Sequence, residues 1–331
     1  MEAILPEARW PAETPLSSSA IRVAEQHAIL GINRFLARNA LPRRYRTLFP
    51  ALLIPMAAWL VQSQRRLSRP MIIGVSGSQG SGKTTLAQAL QVVLRDSFAV
   101  SNCILSLDDF YLPQSDRLER ARQVHPLLET RGVPGTHDIT LLADTIAALI
   151  HPTRQAPVPL PHFDKGRDDR TDETLWTTIP PRPEIILLEG WCVGARQQSA
   201  RDLNVPINDL EYKGDPGGHW RQFVNEQLAG PYQALFAKLD RLVYLKAPDW
   251  EAVKSWRWQQ EVKLEKSQGG DYRADLLDVD RFAHFMAHYE RLTRAMLEQL
   301  PREADIVLHL NHQQQLIKLQ TEGVLTSAEP S

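Results

Sequence analysis

The sequence has little of what marks secreted, disulfide-bonded or nucleic-acid-binding proteins. Its 331 residues include two cysteines, Cys103 and Cys192, which are too few for a disulfide framework and are not spaced as metal ligands. We expect both to be buried free thiols in a reducing compartment. The 38 basic and 39 acidic residues nearly cancel, and the formal net charge of −1 predicts no nucleic-acid partner.

Long hydrophobic runs are also missing. The most apolar early stretch, residues 48–61, is shorter than a membrane span and is interrupted by Pro50 and Pro55. The first residues are acidic and rich in proline, unlike the basic and then apolar start of a signal peptide. We therefore expect no membrane partner and a cytoplasmic location. The length allows one large domain with appendages or two domains.

What the sequence does contain is a phosphate-binding loop. Residues 77–84 read G-x-x-x-x-G-K-T, between an apolar run typical of a buried strand and a stretch with helical periodicity. Glycines let backbone N–H groups approach an anion, Lys83 can reach nucleotide phosphates, and the Thr84 hydroxyl can bind Mg²⁺. The alternative is a glycine-rich turn that matches by chance, but the flanking patterns favour the loop. The expected nucleotide-binding residues are Gly77, Ser78, Gln79, Gly80, Ser81, Gly82, Lys83, Thr84 and Thr85.

Strand and helix patterns alternate along most of the chain. With the loop after the first strand, this alternation predicts the three-layer α/β/α fold of P-loop NTPases, in which helices cover both faces of a parallel sheet. We expect five parallel strands, at residues 71–76, 100–107, 184–188, 241–246 and 305–310. Residues 1–69 are expected to form an N-terminal helical arm that packs on the core. Residues 70–331 are expected to form the nucleotide-binding domain, with insertions at about 110–183 and 195–221.

Carboxylates follow two of the predicted strands. Asp108 and Asp109 come after the second strand, and Glu189 follows the third. Because the carboxyl ends of strands line the ligand crevice of an open α/β sheet, all three would lie near bound phosphates. Asp108 is the expected base that accepts a proton from a substrate hydroxyl, and Asp109 and Glu189 are expected to hold Mg²⁺ with Thr84. The alternative is that these acids cap ordinary turns.

A charged segment at residues 161–170 is a candidate for binding a small anionic acceptor. Lys165, Arg167 or Arg170 can bind an anion, and the planar guanidinium group of arginine suits a carboxylate. The alternative is a solvated loop, whose surface ion pairs contribute little to stability.

Residues 131–138 form a second candidate segment, which precedes a predicted helix. Asp138 can be the N-cap of that helix or can contact a substrate. His137 can equally be a histidine packed within the loop.

Arg257 lies on a predicted helix after the fourth strand. As part of a lid, it can neutralise charge on a transferring phosphoryl group while closure excludes water. The alternative is an exposed helix on which the stem of the arginine side chain packs.

Together, these motifs resemble those of the P-loop small-molecule kinases grouped with phosphoribulokinase, uridine kinase and bacterial pantothenate kinase, and more specifically those of the D-glycerate 3-kinase family. The resemblance extends over about residues 45–310. It implies transfer of the γ-phosphoryl group of ATP, with Mg²⁺, to a hydroxyl of glycerate, giving 3-phosphoglycerate. It also implies that Lys83, Asp108 and Arg257 are catalytic. The acceptor residues it implies are Tyr111, Arg131, His137, Asp138, Asp164, Lys165 and Arg170.

Two other functions are compatible with the sequence. One is a kinase of another small acceptor, such as a nucleoside, pantothenate or a sugar phosphate. The other is a nucleotide-dependent switch protein, which would hydrolyse ATP slowly and without an acceptor. The pair of aspartates beside the phosphates and the charged segment at residues 161–170 favour a kinase, because a switch needs neither. The sequence carries no motif that reads the nucleotide base and no signal of an oligomeric state.

Overall fold

The computed structural model describes residues 16–151, 153, 155–268 and 278–321. The α-helices are α1 (Ser18–Arg38), α2 (Ile54–Gln64), α3 (Lys83–Phe98), α4 (Gln114–Gln123), α5 (Ile139–Ile150), α6 (Ala200–Leu203), α7 (His219–Gln227), α8 (Gln233–Phe236), α9 (Trp250–Gln268) and α10 (Val279–Gln299). The strands are β1 (Met71–Gly77), β2 (Asn102–Ser106), β3 (Val158–Leu160), β4 (Phe163–Asp164), β5 (Asp169–Arg170), β6 (Thr177–Ile179), β7 (Ile185–Gly190), β8 (Arg241–Lys246), β9 (Ile306–Leu310) and β10 (Leu316–Thr321).

Six strands form the central sheet, in the order β10-β9-β8-β1-β7-β2. Five of them are parallel and correspond to the five predicted strands, so the predicted fold class is confirmed. The sixth strand, β10, runs antiparallel to β9 at the edge of the sheet and is not among the predicted strands. Lys318 and Gln320 interrupt its apolar residues, and most of the strand is only partly buried, so the alternation that marks a strand in sequence is weak.

The phosphate-binding loop connects β1 to α3. Gly80 and Gly82 have φ angles of +75° and +91°, which glycine adopts readily. A Cβ atom on Gly80 would lie 2.7 Å from the Cβ of Trp256, whereas a Cβ on Gly82 would meet no atom within 4 Å. The loop therefore packs tightly against α9 at Gly80. It is open at the start of α3, where the N–H groups of the first helical turn can receive an anion.

The N-terminal helices pack on the nucleotide-binding core. Ser17 caps the start of α1, as its hydroxyl accepts a hydrogen bond from the backbone. The Ser97 hydroxyl of α3 donates to the carbonyl of Ala24 in α1 at 2.8 Å, and Gly31 packs so closely on Asp96 that no Cβ would fit between them. Apolar residues of α1, α2 and the sheet share one core.

Both predicted insertions contain regular structure. The first contains α4, α5 and two small antiparallel pairs, β3 with β6 and β4 with β5. The second contains α6 and is fixed by two buried ion pairs, Arg291 with Glu211 and Arg221 with Asp215. The ion pair of Glu211 ties this insertion to α10.

Further expectations concern the cysteines, membrane-spanning segments and the N-terminal arm. Cys103 and Cys192 are both buried and free, as predicted. Within the described ranges, no helix has the length and apolar character needed to cross a membrane. Residues 1–15 of the expected arm lie outside the described residues, and the boundary between arm and core near residue 69 stays a prediction.

Candidate active site

A cleft of about 1900 Å³ opens at the carboxyl ends of the parallel strands. It is lined by residues 79–85 of the phosphate-binding loop, by the ends of β2 and β7, by the β4–β5 turn and by α9, and it continues along α3 to the N-terminal arm. Small-ligand pockets typically have volumes of roughly 300–1,000 Å³, so this cleft can hold a nucleotide and a second small molecule side by side. Of the predicted nucleotide-binding residues, Gly77 and Ser78 do not line the cleft.

The side chain of Glu189 joins the end of β7 to the phosphate-binding loop. Its Oε1 accepts hydrogen bonds from Thr84 Oγ1 at 3.0 Å and from Ser106 Oγ at 2.8 Å. Glu189 is only 3% exposed, and its Oε2 is buried without a hydrogen-bond partner among the described residues. Burying a carboxylate oxygen without a hydrogen-bond partner costs free energy, and a cation beside the oxygen would offset this cost.

Thr84 and Glu189 therefore fit Mg²⁺. This ion prefers oxygen ligands and usually takes one or two carboxylates together with phosphates of the substrate. In the part of the chain that the structure describes, no three His, Cys, Asp or Glu side chains cluster as a metal site by themselves.

Asp109, the third residue predicted for the metal, is engaged elsewhere. Its Oδ1 accepts a hydrogen bond from the backbone N–H of Phe163 at 3.2 Å and lies 3.1 Å from Nδ1 of His162. Burial raises the pKa of this carboxyl. The structure thus uses Asp109 to attach the β4 segment, and it does not bring Asp109 into hydrogen-bond contact with Thr84 or Glu189.

Asp108 faces the cleft with its carboxylate close to two lysines. The Nζ of Lys165 donates to Oδ2 of Asp108 at 2.6 Å, and the charge of Lys83 also acts on this carboxylate. Burial by itself would raise the pKa of Asp108, but the two lysine charges outweigh it and hold the pKa well below its usual range. Asp108 is therefore ionised at neutral pH and can accept a hydrogen bond from a hydroxyl.

The β4–β5 turn carries Lys165 into the cleft. Oδ1 of Asp164 accepts hydrogen bonds from the backbone N–H groups of Gly166 at 2.8 Å and Arg167 at 3.1 Å, and these bonds shape the turn. The Lys165 side chain is 59% exposed, so its amino group has room to change partner. Asp164 and Lys165 both line the cleft, whereas Arg167 does not.

Tyr111 and His137 belong to a buried aromatic cluster. Their rings stack with centroids 4.3 Å apart, and Nδ1 of His137 lies 2.7 Å from the hydroxyl of Tyr232. Because that hydroxyl accepts from the Gly135 N–H at 3.0 Å, its own hydrogen is available for Nδ1 of His137. Burial lowers the pKa of His137 to about 3, so the ring is neutral at neutral pH. Neither Tyr111 nor His137 lines the cleft.

Arg131, Asp138 and Arg170 are engaged in contacts within the protein. Arg131 forms an ion pair with Asp168. Arg170 donates to the carbonyl of Tyr111 at 2.9 Å and to Asp138 at 3.2 Å, and the other Asp138 oxygen caps the start of α5. These three predicted acceptor residues therefore fix the segments around the β4–β5 pair, and none of them lines the cleft.

Arg257 reaches the cleft from α9 and is held on three sides. It forms an ion pair with Glu261, donates to Oε1 of Gln260 at 3.1 Å and lies over the ring of Phe285 at 5.8 Å from the centroid. Its side chain is 16% exposed, and Glu261 is completely buried. The guanidinium group is therefore held in a defined orientation beside the cleft.

Sequence reasoning misses several residues that complete the site. Ser106 shares the carboxylate of Glu189 because the two residues are paired across β2 and β7, a register that the sequence does not reveal. His162 contacts Asp109, and Gln314 of the β9–β10 turn contacts the phosphate-binding loop. The only local signal for Ser106 is its position at the end of a strand, directly before Leu107 and Asp108.

Comparisons with known proteins identify relatives of this chain. No family model matches it. It is 36% identical over 229 residues to a Schizosaccharomyces pombe protein named uncharacterized kinase mug58, and the match covers 67% of this chain and 80% of that protein. It is 32% identical over 242 residues to the chloroplastic D-glycerate 3-kinase of Arabidopsis thaliana, covering 71% of this chain and 49% of the plant protein. More distant matches include pantothenate and uridine kinases.

A solved structure has the same fold. The D-glycerate 3-kinase of Cryptococcus neoformans superposes with a TM-score of 0.66 at 22% sequence identity, over 82% of this chain and 99% of that chain. The relatives imply an ATP-dependent kinase that acts on a small molecule. The chain belongs to the P-loop small-molecule kinases related to uridine kinase and pantothenate kinase, a family that includes D-glycerate 3-kinase.

Proposed function

We propose that the protein is a D-glycerate 3-kinase, which transfers the γ-phosphoryl group of ATP to the hydroxyl on carbon 3 of D-glycerate. The observation that carries the proposal is the contact between Asp108 and Lys165 in the cleft. Asp108 is an ionised carboxylate that can accept a hydrogen bond from a hydroxyl, and Lys165 is an exposed cation that can bind a carboxylate. A small hydroxy acid carries both complementary groups, whereas uridine has no carboxylate. The plant relative named D-glycerate 3-kinase supports the same acceptor.

The nucleotide would bind at the phosphate-binding loop. Backbone N–H groups of residues 80–84 would receive the phosphates, and Lys83 would reach the β- and γ-phosphates. Thr84 and Glu189 would hold Mg²⁺, which when bound balances negative charge on these phosphates. The buried, unpaired Oε2 of Glu189 supports this role.

The acceptor would bind on the opposite side of the cleft. Lys165 would leave Asp108 for the carboxylate of the acceptor, and Asp108 would accept a hydrogen bond from the reacting hydroxyl. The pKa of Asp108 would then rise, because one of the charges that lowers it has moved away. As the hydroxyl oxygen bonds to the γ-phosphorus and the bond to ADP breaks, Asp108 takes the hydroxyl proton and later passes it to solvent.

Arg257 would stabilise the transferring phosphoryl group together with Lys83. Both side chains line the cleft, and the contacts of Arg257 with Glu261 and Gln260 keep its guanidinium group in one orientation. Charge that is held in place before the reaction stabilises the transition state without reorganisation. Arg131, Asp138 and Arg170 would act by supporting the β4–β5 turn that presents Lys165.

Acceptor-dependent release of ADP tests the proposal. The purified protein is incubated with ATP and Mg²⁺ and, separately, D-glycerate, L-glycerate, uridine, pantothenate or ribulose 5-phosphate. We expect turnover with D-glycerate, and phosphorus NMR of the product distinguishes the 3-phosphate from the 2-phosphate. Turnover with another acceptor alone would contradict the proposed substrate but would still support a kinase. ATP hydrolysis that no acceptor accelerates would favour a switch protein instead.

A further inference from the structure

The turn between β9 and β10 contacts the phosphate-binding loop directly. Nε2 of Gln314 donates a hydrogen bond to the backbone carbonyl of Gly80 at 2.7 Å. Only the amide nitrogen of Gln314 can donate to a carbonyl, so this contact fixes the orientation of the amide group. Gln314 is half-buried, although the residues on either side, Gln313 and Gln315, are exposed.

The backbone of Gln314 is held in an uncommon conformation. Its φ angle is +60°, in the left-handed region that residues other than glycine rarely adopt unless their surroundings impose it. The turn is also fastened to α9, because Nε1 of Trp256 donates to the carbonyl of His312 at 2.7 Å. Trp256, which belongs to α9, also packs against Gly80. Gly80 is therefore held between α9 and the β9–β10 turn.

Fixing the carbonyl of Gly80 has an effect on the next residue. The peptide group between Gly80 and Ser81 is planar, so its N–H is oriented together with its carbonyl. The Ser81 N–H donates to the carbonyl of Ser78 at 3.2 Å, which closes a tight turn immediately before Gly82 and α3. A glycine-rich loop has much conformational freedom to lose when it binds an anion. A contact that orders the loop beforehand reduces this entropic cost.

We propose that Gln314 is a positioning residue for the nucleotide phosphates, which acts by ordering the phosphate-binding loop through Gly80. The β9–β10 turn thereby contributes to nucleotide affinity. The proposal rests on ATP binding at the loop and is independent of the identity of the acceptor, so failure of D-glycerate as a substrate would leave it standing.

The test compares two glutamines of the same hairpin. Gln314→Met removes the amide donor and keeps the length of the side chain. The control is Gln320→Met, because Nε2 of Gln320 donates to the carbonyl of Pro301 at 2.8 Å and Gln320 does not line the cleft. Affinities for ATP and for inorganic tripolyphosphate, which has no base, are measured by titration calorimetry with Mg²⁺. Thermal unfolding of both variants is measured in parallel.

We expect Gln314→Met to weaken the binding of ATP and tripolyphosphate by the same factor, about two- to tenfold, as for loss of one neutral hydrogen bond. Gln320→Met should leave both affinities unchanged. Weaker binding of ATP with unchanged binding of tripolyphosphate would overturn the proposal in favour of a contact with the base. Equal losses of affinity in both variants would overturn the proposal, because the effect would then belong to the hairpin as a whole. Unchanged affinities in Gln314→Met would also overturn it. If Gln314→Met does not fold, Gln314→Ala undergoes the same titrations.

Discussion

Thr84 Oγ1 donates a hydrogen bond to Oε1 of Glu189 at 3.0 Å, although the two residues are 105 positions apart in the chain. The contact joins the first turn of α3 to the end of β7, and Ser106 of β2 donates to the same carboxylate oxygen. The second oxygen, Oε2, is thereby left for a further partner. The proposed Mg²⁺ ligands are thus held next to each other by the fold before any nucleotide binds.

Replacement of Glu189 by glutamine should make nucleotide binding less dependent on Mg²⁺. We expect Glu189→Gln to weaken the binding of ATP about 10–100-fold in the presence of Mg²⁺, as for loss of an important metal-site partner, and not in its absence. Titration calorimetry with and without Mg²⁺ measures the difference. Glu184→Gln is the control, because Glu184 bonds to Ser101 and does not line the cleft. Equal weakening of the Glu189 variant under both conditions would contradict the metal role.

Asp108 and Asp109 are adjacent in sequence but should differ greatly in effect on catalysis. Asp108→Asn is expected to lower kcat about 10²–10⁴-fold, because it removes the group that accepts the hydroxyl proton. Binding of ATP should persist. Asp109→Asn is the matched control, since Asp109 contacts His162 and the backbone of Phe163. Steady-state kinetics and nucleotide titration check both variants, and a kcat of Asp108→Asn close to that of the wild type would remove Asp108 from the base role.

The pH dependence of activity should report the contact between Lys165 and Asp108. The charge of Lys165 lowers the pKa of Asp108, so Lys165→Met should raise it and shift the acidic limb of the kcat/KM profile to higher pH. The KM for the acceptor should also rise, because its carboxylate loses a cation. The profile is measured across the acidic range, with Lys213→Met as a control for an exposed lysine paired with Asp209. An unshifted acidic limb together with an unchanged KM would separate Lys165 from the acceptor site.

The planar shape of the Arg257 guanidinium group should matter more for catalysis than its positive charge. Arg257→Lys keeps a cation beside buried Glu261 but loses the planar fork, so we expect a lower kcat with little change in the affinity for ATP. Arg294→Lys is a matched control, because Arg294 forms a similar pair with Glu290 on α10 and does not line the cleft. Rapid-quench kinetics distinguish slower chemistry from slower product release. Equal kcat values in wild type and Arg257→Lys would show that the fork has no part in transfer.

The phosphate-binding loop could be predicted because its information is local. All residues of the loop are consecutive, and a strand and a helix flank them, so residue type and spacing are sufficient. The five parallel strands are predictable for a similar reason, since β1 and β7 are fully buried and β2, β8 and β9 each have an apolar centre. The edge strand β10 lacks such a run, and its pairing with β9 depends on tertiary context.

The candidate acceptor residues show what local sequence leaves open. Arg131 and Arg170 have the charge that an anionic substrate requires, but the fold pairs them with Asp168 and Asp138. These partners come from separate segments, and the sequence alone does not indicate which of several acids each arginine meets. For Asp138 the structure shows the N-cap, and the same carboxylate also binds Arg170.

The contact between Lys165 and Asp108 also bears on hydrolysis of ATP in the absence of an acceptor. A kinase whose base faces an open cleft risks activating water, which is far more abundant than any acceptor. Here the charge of the Asp108 carboxylate is already balanced by Lys165, which also lowers the pKa of Asp108. A water molecule that enters before the acceptor would therefore meet a weak base. In the proposed mechanism, the carboxylate of the acceptor draws Lys165 away from Asp108. The same two side chains that favour a hydroxy acid would therefore restrain idle hydrolysis until that acid has arrived.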